Sequence, residues 1–201
     1  VGGTEVVIVP TGGANIASLQ YALERLRVPS RVSADAGCIR AASHVILPGV
    51  GAAGDAMQRM RRDGLETVIR ELRQPVLGVC LGMQLLYEAS AEGPTSCLGV
   101  LPGRAERFTP APGRPVPHMG WNSLENVGES PLLSGISAAD YAYFVHSYAV
   151  PVGPATLATT NYGLEFSACV GWRNFYGTQF HPERSAAVGA RVLQNFVSLC
   201  N

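Results

Sequence analysis

Short, wholly apolar runs alternate with helix-spaced apolar positions through the first half of the chain. Glu5–Pro10 (E-V-V-I-V-P) stops at Thr11-Gly12-Gly13 and predicts a buried strand. From Asn15 to about Arg27 the apolar residues Ile16, Leu19, Ala22, Leu23 and Leu26 fall at helical spacing, with Asn15 a candidate N-cap. Arg31–Ser33 suggests a second strand. His44–Leu47 is a third, ended by Pro48-Gly49. Gly54 to about Leu72 reads as a helix charged on one side. Pro75–Val79 is another continuous apolar strand, followed at once by a helical pattern from Leu81 to Glu88. Strand and helix alternating in this way predict right-handed βαβ units and a parallel sheet covered on both faces.

The second half changes character. From Gly93 to Gly177 there is more Gly, Pro and aromatic residue, and the apolar runs are short: Tyr141–Val145, Leu157–Thr160, Phe166–Trp172 and Phe175–Phe180. These predict antiparallel strands and hairpins. Ala186–Leu199 closes the pattern with an amphipathic helix. The expectation is an α/β fold forming one domain over residues 1–201, a mostly parallel sheet with an antiparallel extension.

Composition narrows the function classes. Fifteen basic and fifteen acidic residues cancel, which argues against a nucleic-acid partner or an anionic membrane surface. The central uncharged run, Pro75–Tyr87, is too short to span a bilayer. Cys38, Cys80, Cys97, Cys169 and Cys200 are scattered, with no C-x-x-C pair, so neither a zinc site nor a disulfide framework is expected. The opening V-G-G-T-E lacks the basic start of a signal peptide. Together these predict a soluble, cytoplasmic protein without metal or cofactor.

One cysteine differs from the rest. In Gly78-Val79-Cys80-Leu81-Gly82-Met83-Gln84 a cysteine stands between a strand end and a helix start, with glycine two residues away on each side. That spacing permits the strained strand-to-helix turn that lifts a nucleophile out of a sheet. Unpaired N–H groups at a helix start favour a negative sulfur, and the Leu81 N–H would point to where an oxyanion forms. The competing reading is a buried structural cysteine.

A thiol nucleophile needs a base. In Gly177–Ser185 (G-T-Q-F-H-P-E-R-S), His181 follows a strand and Glu183 lies two residues on, across the rigid Pro182. Imidazole suits proton transfer near neutral pH, and a carboxylate on its other nitrogen fixes the tautomer. The alternative is a loop histidine beside a solvated glutamate.

Three motifs, in this order, resemble class I (triad-type) glutamine amidotransferases over nearly the whole chain: P-G-V-G-A at Pro48–Ala52, G-V-C-L-G-M-Q at Gly78–Gln84 and T-Q-F-H-P-E at Thr178–Glu183. The resemblance implies a Cys80–His181–Glu183 triad that hydrolyses L-glutamine. It implies oxyanion donors at the Val50 and Leu81 N–H groups, with Gly49 and Gly51 of the same loop as substrate-binding positions. One such donor is typically worth about 3–4 kcal/mol of barrier. Gln84 and Glu92 are implied as glutamine readers, and His146, Ser147 and Tyr148, in Y-F-V-H-S-Y, as contacts to the substrate carboxylate end.

Pro117–Asn122 (P-H-M-G-W-N) is not explained by glutamine hydrolysis. With Y-F-V-H-S-Y it resembles the glutaminase subunits of imidazole glycerol phosphate synthases. That resemblance implies a separate partner, a cyclase subunit of the HisF-type (β/α)-barrel kind that receives the ammonia. Asn15, Trp121, Arg184 and the Val50 loop are then candidates for the docking face. Two alternatives remain: the glutaminase of another synthase, such as an anthranilate type, or a non-catalytic assembly subunit.

Overall fold

The computed structural model describes residues 5–12 and 16–200; Asn15, the candidate N-cap and docking residue, lies outside them. The predicted alternation appears as β1 (Val6–Ile8), α1 (Ile16–Arg25), β2 (Ser30–Val32), α2 (Ala36–Ala41), β3 (His44–Gly49), α3 (Ala53–Arg62), α4 (Leu65–Arg70), β4 (Val76–Cys80) and α5 (Leu81–Leu85). The second half contributes β5 (Tyr87–Ser90), β6 (Thr95–Ser96), β7 (Leu101–Arg107), β8 (His118–Ser123), β9 (Tyr141–His146), β10 (Tyr148–Ala149), β11 (Thr156–Asn161), β12 (Glu165–Trp172), β13 (Phe175–Thr178) and α6 (Ala186–Val197).

The main sheet runs β11-β12-β13-β4-β3-β1-β2. Its β2, β1, β3, β4 and β13 are parallel, while β12 and β11 extend it antiparallel. Successive residues of its parallel strands point to opposite faces, which gives two cores. Val7, Val9, Val45, Leu47 and Val76 pack against α3 and α4 through Met57, Met60, Leu65 and Ile69. Val6, Ile8, Ile46, Leu77 and Val79 pack against α1 and α6 through Leu19, Leu23, Val192, Leu193 and Phe196. A smaller sheet, β10-β7-β5-β6, and a ribbon, β8-β9, complete the molecule.

Three expectations change. The helix predicted over Gly54–Leu72 is two helices, because Gly64 takes a left-handed conformation (φ 68°) that stops α3 and starts α4. The helix predicted over Leu81–Glu88 ends at Leu85, and Tyr87 and Glu88 enter β5, which pairs with both β6 and β7. Strand pairing supplied from distant residues overrides the local pattern there. The short α2 was not expected; Asp35 caps it by accepting from the Cys38 N–H at 2.7 Å.

The registers that matter are those around β4. Gly49 at the end of β3 pairs with Cys80, and Val79 pairs with Thr178 at the end of β13. The three segments singled out in the sequence therefore leave the carboxyl ends of three adjacent parallel strands, the usual ligand edge of such sheets. α5 folds back so closely over this edge that a Cβ on Gly82 would overlap the carbonyl oxygen of Leu47. A Cβ on Gly78 would stand 2.7 Å from the Gly82 backbone. Gly82→Ala should therefore displace α5 and lower stability by roughly 1–3 kcal/mol, the usual range for overpacking. Urea unfolding checks this as a lower midpoint at unchanged slope.

Candidate active site

Cys80 sits at the turn from β4 into α5 with φ 54° and ψ −112°. A positive φ in a residue with a side chain is strained, and the strain is held by the packing of Gly78 and Gly82 described above. The turn brings Cys80 to the wall of a cleft of about 360 Å³. Val50, Gly51, Leu81, Gln84, Glu92, His146, Ser147, Tyr148 and His181 line the same cleft, joined by Pro117 and Val145. Volume and mixed lining suit a small polar molecule. Of the residues predicted for this site, Glu183 and Gly49 stand outside the cleft, behind His181 and the Val50 loop.

Glu183 Oε1 lies 2.8 Å from His181 Nδ1, and both side chains are almost fully buried. A carboxylate on Nδ1 places the proton there and turns Nε2 to the other side of the ring. Nε2 is buried and makes no hydrogen bond among the described residues. Burial pushes the ring toward its neutral form, but the nearby Cys80 sulfur and Glu183 carboxylate outweigh it and raise the pKa to about 10. The Cys80 thiol points at the Val145 carbonyl, 3.7 Å away. A nucleophile, a base with a free ring nitrogen and an orienting carboxylate are thus assembled, a set suited to acyl transfer.

Several positioning groups were not read from the sequence. Gln179 is fully buried; its amide nitrogen lies 3.7 Å from the Cys80 sulfur, and its Oε1 accepts from Gln84 Nε2 at 2.9 Å. It sits inside T-Q-F-H-P-E, so the motif contained the signal. Ser185 locks the base loop: its hydroxyl donates to His181 O at 2.7 Å and accepts from the Tyr143 N–H at 2.9 Å. The His181 N–H in turn donates to Tyr143 O at 3.0 Å. Thr11 donates to the Pro48 carbonyl at 2.6 Å and so anchors the loop that carries Val50.

Two predicted glutamine readers carry structural duties as well. Gln84 Nε2 also donates to Tyr148 O at 2.8 Å, so its amide N–H groups are committed within the protein. Glu92 Oε2 accepts from the Ala53 N–H at 2.8 Å, capping α3, which has no side-chain cap of its own at Ala52. Trp121 and Arg184 meet across Tyr143: the indole packs edge-on to the Tyr143 ring, and the guanidinium lies 4.3 Å from its centre.

A mostly parallel α/β sheet with a strained cysteine turn and a His–Glu pair at its carboxyl edge defines a cysteine-dependent acyl-transfer enzyme. The model of the family "Glutamine amidotransferase class-I" matches residues 14–199, and the chain belongs to that family. It is 52% identical over 196 residues, 98% of each chain, to "Imidazole glycerol phosphate synthase subunit HisH" of Xanthomonas oryzae pv. oryzae strain MAFF 311018. The protein of the same name from Xylella fastidiosa strain Temecula1 is 51% identical at the same coverage. Among solved structures, one glutamine amidotransferase aligns with a TM-score of 0.74 at 22% identity, covering 96% of each chain. Another, from Thermotoga maritima, aligns at 0.68 with 16% identity, covering 96% of this chain and 82% of that one. At those identities the two structures speak for the fold, a class I glutamine amidotransferase fold.

The raised His181 pKa depends in part on the Glu183 carboxylate. Glu183→Gln removes that charge and leaves burial, which favours the neutral ring. The His181 pKa should therefore fall well below about 10, so that the ring loses its proton at lower pH than in the parent protein. An NMR titration of the ring resonances of both proteins measures the shift.

Proposed function

We propose that this chain, folded as one domain over residues 1–201, is the glutaminase subunit of an imidazole glycerol phosphate synthase. It converts L-glutamine and water to L-glutamate and ammonia. The observation that carries the reading is the cleft itself: Cys80 at a strained turn and the Glu183-oriented His181 line one glutamine-sized pocket.

In the mechanism, Cys80 gives its proton to His181 Nε2, and the resulting thiolate attacks the side-chain amide carbon of glutamine. The N–H groups of Val50 and Leu81 hold the resulting oxyanion. His181 Nε2 gives its proton to the amide nitrogen as the C–N bond breaks, releasing ammonia and leaving a γ-glutamyl thioester. Water then passes a proton to His181 Nε2 and adds to the thioester carbonyl. The C–S bond breaks, and glutamate leaves. Gln84, Glu92, Ser147, Tyr148 and the backbone of His146 bind glutamine, with Glu92 accepting from its α-ammonium group. Glu183 keeps the imidazole oriented.

The ammonia passes to a separate cyclase subunit, a (β/α)-barrel that makes imidazole glycerol phosphate and an aminoimidazole carboxamide ribotide in histidine biosynthesis. The support is an apolar outer face on the β8–β9 ribbon. Met119, Trp121 and Tyr141 are 63%, 52% and 57% exposed, a concentration that marks interaction surfaces. Pro117 and Val145, on the same ribbon and its approach, line the cleft, so this face is continuous with the cleft mouth. Arg184, stacked on Tyr143, adds a cation beside it. The reading places the protein in the cytoplasm, where its five free cysteines suit a reducing compartment. No described helix is long and apolar enough to cross a membrane.

Cys80→Ala should abolish glutamate release by the two-subunit enzyme while leaving product formation from added ammonia intact. Continued glutamate release by that variant overturns the assignment. Trp121→Ala should weaken binding to the cyclase subunit by about 2 kcal/mol or more, as removal of a central aromatic anchor does. Titration calorimetry measures it, and unchanged affinity removes Trp121 from the interface.

A further inference from the structure

An unbroken chain of hydrogen bonds runs from β8 to the wall of the cleft through two buried histidines. Asn122 Nδ2 donates to Asn161 O at 3.0 Å and stands 3.3 Å from His118 Nε2. His118 Nδ1 is 3.0 Å from His146 Nε2, and His146 Nδ1 is 2.8 Å from Tyr148 O. A carbonyl only accepts, so His146 carries its proton on Nδ1 and presents Nε2 as an acceptor to His118 Nδ1–H. His118 Nε2 is then the acceptor for the Asn122 amide. One pair of tautomers satisfies every atom, and it requires both rings to be neutral. Burial supplies that condition, pushing His118 down to about 4 and His146 to about 3.

The end of the chain is the informative part. The Tyr148 carbonyl receives a second donor, Gln84 Nε2, and Gln84 continues through Gln179 to the Cys80 sulfur. His118 is also fixed by stacking between Tyr162 (ring centres 4.1 Å apart) and Phe144 (5.1 Å). In so aromatic a setting an apolar ring would pack as well; the nitrogen atoms are what the network uses.

We propose that His118 is a positioning residue of the glutaminase site, acting through His146 to hold the Tyr148 carbonyl, and with it Gln84, in the arrangement that receives glutamine. This rests on the glutaminase reading above. His118 does not line the cleft, so its effect is transmitted and not direct.

Two variants separate the donor from the ring. His118→Phe keeps the stack and removes Nδ1–H, leaving His146 Nε2 without a partner. His118→Asn removes the stack but places an amide nitrogen close to where Nδ1 stands. Steady-state kinetics of the two-subunit enzyme should show the glutamine KM rising about tenfold in His118→Phe, the scale of one lost hydrogen bond in a dry site, with a smaller change in kcat. His118→Asn should restore KM to within about twofold of the parent, whatever its melting temperature. An unchanged KM in His118→Phe, or an equal rise in both variants, overturns the proposal.

A measurement on the parent protein guards against a variant that does not fold. Long-range proton–nitrogen NMR at neutral pH should show both rings protonated on Nδ1 and bare on Nε2. A proton on Nε2 of either ring overturns the relay. If the parent enzyme shows no Cys80-dependent glutamine hydrolysis, the reading of the site fails first and takes this inference with it.

Discussion

The backbone of α5 lies against the end of β3 at a separation that admits no side chain. Gly82 meets the Leu47 carbonyl, and Gly49 and Gly78 face the first turn of α5 at distances a Cβ could not share. This contact forces the chain to reverse direction at Cys80 and holds that residue at positive φ. The same contact brings Val50 and Leu81 to one wall of the cleft. Nucleophile and candidate oxyanion donors are thus products of one packing event, and the cost of the strained cysteine is offset by the two cores on either face of the sheet.

Besides a shared apolar core, buried polar contacts join the second half of the chain to this edge. The Tyr143 carbonyl accepts from the His181 N–H, and the Ser185 hydroxyl closes the ring by accepting from the Tyr143 N–H and donating to His181 O. Tyr148 collects donors from Gln84 and His146. Because these groups are buried, each must keep its partner, so small displacements of the β8–β9 ribbon act on the cleft. The ribbon presents apolar side chains outward and histidines inward, so one hairpin supplies both a docking face and a cleft wall.

Two histidines of the cleft show how environment divides one residue type into two roles. His146 and His181 are about equally hidden from solvent. His181 has a carboxylate and a sulfur beside it that outweigh burial, and it is raised to about 10; burial lowers His146 to about 3, against the opposing hydrogen bond to the Tyr148 carbonyl. The first is suited to moving a proton, the second to holding one hydrogen-bond geometry across the working pH range.

What the sequence determined by itself is local. Continuous Val/Ile/Leu runs are buried on both faces, so β1, β3 and β4 were legible, as was the elbow, since only glycines at those two positions allow it. His181 and Glu183, two residues apart across a proline, were legible for the same reason. The tertiary structure alone decided the rest. Tyr87 and Glu88 left a helical pattern for β5 because β6 and β7 offered hydrogen bonds. Gln179, Ser185 and Thr11 acquired roles only when partners far away in the chain came within 4 Å. P-H-M-G-W-N read as an interface anchor through Trp121, yet its His118 turns inward to His146, 28 residues on, and its Asn122 meets His118 and the Asn161 carbonyl. A hydrogen bond between distant residues leaves no periodicity in the sequence, because its geometry exists only after the sheet has set the register that brings them together.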